Sequence, residues 1–193
     1  MAVLIYIHGF NSSECSHKAN VLKQAAHSFH AEDTFISPRL SWQPKLAIQQ
    51  LEELIEANLW QGVTLIGSSL GGFYAVYLTE KYAIKSILVN PAMQAPMLLK
   101  DYLGPQLNPY TNEMYELTDE HMVELEALVV AAPTSPRYWL MVQEGDEVLD
   151  YRAALQAFPD AAKLTHEKGG DHSFTDFQRF SADIFKFAEI TTN

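Results

Sequence analysis

Hydrophobic positions follow two alternating patterns along the chain. Short runs such as Val-Leu-Ile-Tyr-Ile at residues 3–7 are continuously apolar, which is typical of strands covered on both faces. Such runs predict six strands, at residues 3–8, 34–37, 63–67, 85–90, 138–143 and 163–166. The segments between them have helical spacing and predict helices at residues 16–29, 45–59, 70–82, 119–130, 151–157 and 175–187. The alternation predicts an α/β domain with a doubly wound, mostly parallel sheet of about six strands and helices on both faces.

One stretch interrupts this alternation. Residues 91–117 carry four prolines among methionine, leucine and tyrosine residues. They predict a cap-like insertion around residues 91–130, over one end of the sheet, within a single domain that spans residues 1–193. Three apolar residues of the insertion are candidates either for the core of a small cap or for a substrate-binding acyl pocket: Met93, Met97 and Leu98.

Composition narrows the choice of partners. The 193 residues include 24 acidic and 13 basic side chains, for a formal charge of −11, which disfavours a nucleic-acid partner. The single cysteine, Cys15, excludes an intramolecular disulfide and fits a reducing cytoplasm. No apolar run approaches the ~18 to 20 residues that span a bilayer. We therefore expect a cytoplasmic protein with no membrane span, metal or other cofactor, while its oligomeric state stays open.

A Gly-x-Ser-x-Gly motif occupies residues 67–71, where a predicted strand ends and a predicted helix begins. A serine at such a sharp turn is held in strained dihedral angles, so the flanking positions require glycine. The segment lacks the Gly-Lys-Ser/Thr ending of a phosphate-binding loop, and a tightly packed structural turn is the other alternative. We interpret Ser69 as a nucleophile in preference to Ser68, because the glycine spacing centres on Ser69.

A serine hydroxyl needs a histidine base and a carboxylate that orients the histidine. In sheets that carry this motif, the acid and then the histidine follow the serine along the chain. His172, in the loop after the last predicted strand, is the candidate base, and His166 is the alternative. Asp146 follows the strand predicted at 138–143 and is the candidate acid. Asp150 is the alternative, although it also suits a helix N-cap.

Two backbone N–H groups would complete an oxyanion hole. One belongs to Leu70, directly after the predicted nucleophile, and the other to Phe10, in the loop after the first strand. We assign His8 a structural role in that loop. The two loops meet if the strand order is 2-1-3-4-5-6, which places the switch point of the sheet between them. Arg39, after the second strand, is either a ligand for an anionic substrate group or part of a surface ion pair.

These motifs together resemble the α/β-hydrolase superfamily. The segments Tyr-Ile-His-Gly-Phe-Asn-Ser-Ser at 6–13 and Leu-Val-Asn-Pro-Ala at 88–92 resemble, more closely, the YqiA-like esterase family of bacterial proteins. The resemblance covers essentially the whole chain. It implies a short, three-layer α/β-hydrolase fold that lacks the first two strands of larger members. It also implies serine esterase activity on carboxylic esters or acyl thioesters such as acyl-CoA, with Ser69, Asp146 and His172 as triad.

The residues leave two other functions open. A protein with this fold can act as a non-catalytic binding protein, because fold alone does not determine function. The same triad can also hydrolyse amide, peptide or lactone bonds. The expected partner in the main interpretation is a small-molecule ester or thioester.

Overall fold

A six-stranded parallel sheet organises the molecule. The computed structural model describes residues 2–190. Within this range the strands are β1 (Val3–Ile7), β2 (Phe35–Ile36), β3 (Val63–Ser69), β4 (Lys85–Pro91), β5 (Gly104–Leu107), β6 (Met114–Leu117), β7 (Tyr138–Gln143) and β8 (Lys163–Glu167). The main sheet has the order β2-β1-β3-β4-β7-β8, and all its neighbouring strands are parallel. This confirms the predicted sheet and its strand order.

Helices cover both faces of this sheet. They are α1 (His17–Ser28), α2 (Pro44–Asn58), α3 (Leu70–Tyr82), α4 (Ala95–Leu98), α5 (Asp119–Glu126), α6 (Tyr151–Ala157) and α7 (Ser181–Phe187). Alternate residues of β1 point to opposite faces, so Ile5 joins the core under α2 and α3 whereas Leu4 joins the core under α1 and α7. The result is three layers, as predicted. None of the helices within residues 2–190 has the length and apolarity needed to cross a bilayer.

Two predicted helices are shorter in the structure. The last one was predicted from residue 175, but Asp176 has a φ of 58° and a 3₁₀ turn occupies Phe177–Phe180, so α7 begins only at Ser181. The helix predicted at 119–130 ends at Glu126. Beyond it, the N–H groups of Leu128 and Val129 donate to carbonyls three residues back, which tightens the chain into turns.

The segment from residue 91 to residue 130 contains a hairpin that the sequence pattern did not predict. Strands β5 and β6 pair antiparallel, and helices α4 and α5 flank them. Two hydrogen bonds fasten the hairpin to the loop after β1: Tyr115 Oη donates to Asn11 Oδ1 at 2.6 Å, and Asn108 Nδ2 donates to the carbonyl of Ser12 at 2.9 Å. The hairpin therefore lies against the loop that carries the predicted oxyanion donor.

Candidate active site

Ser69 occupies a strained turn between β3 and α3. Its backbone has φ 55° and ψ −120°, in the region of positive φ that non-glycine residues seldom adopt. The pairing of β3 with β4 shifts register at this point, and the N–H of Ala92 donates to the carbonyl of Ser69 at 3.0 Å. The surrounding backbone thus holds the serine in a conformation that it would not adopt in isolation.

The glycines of the motif permit two close backbone approaches. A Cβ atom on Gly67 would collide with the carbonyl of Gly71, so Gly67 allows α3 to fold back over the end of β3. A Cβ atom on Gly71 would collide with the carbonyl of Ile7, so Gly71 allows α3 to pack against the end of β1. The motif therefore brings α3, β3 and β1 close together around Ser69.

His172 and Asp146 are hydrogen-bonded to each other. His172 Nδ1 lies 2.9 Å from Asp146 Oδ2 and 3.0 Å from Oδ1, and the Asp146 side chain is only 1% exposed. The carboxylate also accepts the N–H groups of Val148 and Leu149, at 2.9 and 2.8 Å. Because an ionised carboxylate can only accept, Nδ1 carries the shared proton and Nε2 is left as the basic nitrogen.

The hydrogen bonds around Asp146 keep it ionised. Burial on its own would raise the pKa of this carboxyl group, but the hydrogen bond from His172 and those from Leu149 and Val148 outweigh it. The pKa of Asp146 is therefore held below its usual value. A permanent negative charge beside the imidazole stabilises the imidazolium form that a general base passes through.

The alternative acid and base lie in other environments. Asp150 caps α6, where its Oδ1 accepts the N–H of Arg152 at 3.0 Å, and its side chain is 62% exposed. His166 lies 3.0 Å from Glu144. Neither residue lines the cavity that contains Ser69.

Ser69 and His172 line one cavity of about 240 Å³, together with Ser68 and the loop that contains Gly9 and Phe10. No hydrogen bond of 3.5 Å or less joins Ser69 Oγ to the imidazole in the part of the chain that the structure describes. Such contacts are commonly long in a free enzyme and tighten when substrate binds.

The two predicted N–H donors lie beside Ser69. Leu70 is the first residue of α3, so its N–H has no acceptor within the helix. A Cβ atom on Gly9 would lie 3.2 Å from the Cβ of Ser69, which shows that the loop after β1 passes directly next to the serine. The N–H of Phe10, next in that loop, donates to no backbone acceptor among residues 2–190. Both amides are free to bind an oxygen.

His8 holds this loop in place as a neutral side chain. Its Nε2 accepts the N–H of Leu40 at 3.3 Å, so the proton resides on Nδ1, which lies 3.1 Å from the carbonyl of Gly9. Burial lowers the pKa of His8 by more than the hydrogen bond to Gly9 and the negative charge of Glu14 raise it. The residue thus links the loop after β1 to the loop after β2.

Two buried amide side chains, which the sequence reasoning missed, hold the loop of His172. Asn90 Nδ2 donates to the carbonyls of Asp171 and His172 at 3.0 and 3.2 Å, while its Oδ1 accepts the N–H of Gln143 at 3.1 Å. Gln143 Oε1 in turn accepts the N–H groups of Asp171 and Thr175 at 3.2 and 2.8 Å. The available signal in the sequence was a polar amide directly after an apolar run in each of two strands, Ile87–Val89 in β4 and Tyr138–Val142 in β7.

A second cavity lies on the other side of the Gly9–Phe10 loop. Leu70, Tyr74, Trp42 and Tyr115 form its walls, and the rings of Trp42 and Tyr115 stack at 4.7 Å. Arg39 also borders this cavity, where its Nη2 lies 3.5 Å from Glu113 Oε2.

The residues suggested for an acyl pocket line neither of the two cavities: Met93, Met97 and Leu98. Met97 is 58% exposed, and the other two pack against the core. Met97 and Leu98 lie on α4 and Met93 lies just before it, whereas the hairpin and the loop that leads into α2 supply the walls beside the predicted donors. A substrate-binding role for the three residues stays a prediction.

Comparison with solved structures finds the same fold in several proteins. A protein from Agrobacterium vitis S4 superposes with a TM-score of 0.75 at 18% identity, covering 96% of this chain and 87% of that one. Mouse alpha/beta hydrolase domain-containing protein 10 superposes with a TM-score of 0.69 at 16% identity, covering 97% of this chain and 88% of that one. Est1E from Butyrivibrio proteoclasticus with bound ferulic acid superposes with a TM-score of 0.68 at 13% identity, covering 97% of this chain and 88% of that one.

Comparison with protein families matches residues 3–189, nearly the whole chain, to a single family. The chain has the α/β-hydrolase fold and belongs to the Uncharacterised protein family (UPF0227), the YqiA-like family.

Proposed function

We propose that the protein is a serine hydrolase that cleaves carboxylic esters or acyl thioesters through an acyl-enzyme on Ser69. His172 acts as general base and then general acid, and Asp146 orients and stabilises it. The N–H groups of Phe10 and Leu70 bind the oxyanion. The observation that carries the proposal is the hydrogen bond between His172 and the buried Asp146, at 2.9 Å, with His172 in the same cavity as the strained Ser69.

The chemistry proceeds in two halves. Ser69 Oγ attacks the carbonyl carbon while Nε2 of His172 takes the hydroxyl proton, and the carbonyl oxygen becomes an oxyanion. The imidazolium then protonates the departing alcohol or thiol as its bond to the carbonyl carbon breaks. A water molecule attacks the acyl-enzyme with the same base, which releases the carboxylic acid and restores Ser69.

The fold supports two compartments for substrate. The leaving group must lie next to the imidazole that protonates it, in the cavity lined by His172. The acyl group then extends past the N–H groups of Phe10 and Leu70 toward the aromatic cavity of Trp42, Tyr74 and Tyr115, whose volume of about 40 Å³ favours a small acyl group. Ferulic acid, which Est1E binds, is a carboxylic acid and so of the product class that ester hydrolysis releases.

The direct test is labelling with a fluorophosphonate, which reacts with activated serines. We expect mass spectrometry to locate the label on Ser69, no label on Ser69→Ala, and full labelling of Ser68→Ala, the adjacent and buried control. Absence of labelling in folded protein, or equal labelling of Ser69→Ala, would contradict the proposal. Either result would favour a non-catalytic binding protein with this fold.

The type of bond is tested with butanoyl substrates that share one acyl group. An aryl ester, a thioester of N-acetylcysteamine and an anilide differ only in their leaving group. We expect kcat/KM to be much higher for the ester and thioester than for the anilide. The reverse order would assign the site to amide bonds.

A further inference from the structure

Lys18 lies in the first turn of α1 and lines the same cavity as Ser69 and His172. Among residues 2–190, its ammonium group has no ion pair within 4.0 Å, whereas four other lysines do. The remaining lysines are also unpaired, and all of them are exposed: Lys23, Lys45, Lys168 and Lys186. Lys18 is half-buried. An unpaired ammonium is costly in such a place, because burial removes part of its hydration.

The electrostatics of helix α1 do not favour a cation at this position. The N-terminal end of a helix carries partial positive charge, so an ammonium in the first turn is unfavourable, and α1 has no acidic residue there to offset it. Burial lowers the pKa of Lys18 to about 8, although Asp171 and Asp146 act to raise it. At neutral pH the side chain is therefore still mostly protonated.

A purely structural role as counterion does not account for Lys18. The carboxylate of Asp146 is already bonded to His172 and to two backbone N–H groups. Asp171 Oδ1 is buried without a hydrogen-bond partner among the described residues, so it does not use the nearby ammonium either. Among the described residues no carboxylate therefore pairs directly with the Lys18 ammonium, and its side chain lines the cavity.

We propose that Lys18 binds an anionic group, a carboxylate or a phosphate, on the alcohol or thiol portion of the substrate. This rests on the proposed function, since His172 protonates the leaving group and Lys18 lines the cavity of His172. A charge-assisted hydrogen bond to such a group favours the anionic substrate over a neutral one of similar shape. Lys18 does not line the aromatic cavity proposed for the acyl portion, so we expect no contact between Lys18 and that portion.

The test compares esters that differ only in the charge of the leaving group. One set contains the butanoyl esters of 3-hydroxybenzoate, of 3-hydroxyphenyl phosphate and of methyl 3-hydroxybenzoate, of which the last is neutral. A second set moves the charge to the acyl side, with the monophenyl ester of adipic acid and its neutral methyl ester. The readout is the ratio of kcat/KM for charged over neutral substrate within one variant, because general damage to the site lowers both values.

We expect the wild type to favour at least one charged leaving group by roughly 10- to 100-fold. The ratio should fall to about one in both Lys18→Met and Lys18→Gln, and it should persist in Lys23→Met, the exposed control on the same helix. The carboxylate and phosphate esters identify which anion the site prefers. No charge effect on the acyl side is expected.

Three results would overturn the inference. They are a wild type that cleaves charged and neutral leaving groups at equal rates, a ratio that persists in both Lys18 variants, and an effect of the Lys18 variants on the acyl-side pair instead. In each of these cases the hydrolase assignment stands. If the wild type cleaves no ester at all, or Ser69→Ala cleaves them equally well, the proposed function fails and the inference fails with it.

Discussion

The side chain of Asn90, at the end of β4, donates to the backbone carbonyl of His172 across a distance of 3.2 Å. The same amide reaches Asp171 and, through its oxygen, the N–H of Gln143. The candidate base is therefore positioned by a residue from a strand next to that of the candidate nucleophile. Asn90 contacts the backbone of the loop, whereas Asp146 contacts the imidazole ring.

Asn90→Asp should lower kcat by roughly 10²-fold while changing KM little. The variant has the same shape, but it replaces an N–H donor by an oxygen that faces two carbonyl oxygens, so the His172 loop shifts. The measurement is steady-state kinetics on 4-nitrophenyl butanoate, with thermal unfolding alongside. Asn58→Ala, which removes a local bond at the end of α2, is the control and should retain the wild-type kcat. A wild-type kcat in Asn90→Asp would argue against a positioning role.

Asp146→Asn should reduce kcat by roughly 10³- to 10⁴-fold, because an amide no longer fixes the imidazole tautomer or stabilises the imidazolium. Asp150→Asn is the matched comparison, since Asp150 caps α6 and should affect stability by about 1 kcal/mol or less with little change in kcat. The two variants are compared on one ester at neutral pH. The reverse ranking would make Asp150 the acid.

Ser69→Gly should be more stable than Ser69→Ala by about 1 kcal/mol. Glycine adopts a φ of 55° without the steric cost that any Cβ atom incurs, and strain of this kind costs roughly 1–3 kcal/mol. Both variants lack the hydroxyl, so both should be inactive. Urea denaturation gives the comparison directly. Equal stabilities would mean that the turn stores no appreciable strain.

The wild type should lose stability at acid pH more steeply than His8→Gln. Burial places the folded pKa of His8 below its usual value of 6.5, so the unfolded state takes up the proton first as pH falls. The stabilisation from neutral His8 is complete above about pH 6.5 and is lost as pH falls toward the folded pKa. Glutamine cannot titrate but can still accept the N–H of Leu40. Tm is measured for both proteins from about pH 7.5 to about pH 5, and parallel curves would exclude this linkage.

Tyr115→Phe should lower kcat several-fold, since it removes the 2.6 Å bond to Asn11 and keeps the ring stacked on Trp42. Tyr82→Phe serves as control because it deletes a similar bond, to Glu56 at 2.7 Å, on the exposed side of α3. Kinetics on esters of increasing acyl length would separate a change in the oxyanion loop from a change in the aromatic cavity. If kcat is equal in the two variants, the bond from Tyr115 does not position the loop for catalysis.

The central sheet could be predicted because its strands are continuously apolar. Every residue of β1 and β7 is buried, so the sequence contrast with the flanking segments is sharp. The strand order followed from the requirement that the loop of Phe10 and the turn of Ser69 meet. The hairpin β5–β6 has no such contrast, because only one of the eight residues in its two strands is buried and one strand contains a proline.

The candidate site could be predicted only in part. Ser69, Asp146 and His172 each follow a strand, so topology alone places them at one edge of the sheet. The roles of Asn90 and Gln143 depend on bonds between residues 53 to 82 positions apart, or 28 in one case, and such pairings arise only when the loops are folded. No sequence pattern marks Lys18, because the role proposed for it depends on the cavity that it lines.

The attachment of the hairpin to the loop after β1 bears on how substrate reaches the site. Asn108 and Tyr115 bind Ser12 and Asn11, the residues that directly follow Phe10. A hairpin joined in this way cannot swing outward as a separate flap without pulling on the loop that carries the proposed oxyanion donor. On the proposed function, no lipid–water interface is needed to expose Ser69, and the rate on a dissolved ester should rise smoothly through the solubility limit of the substrate.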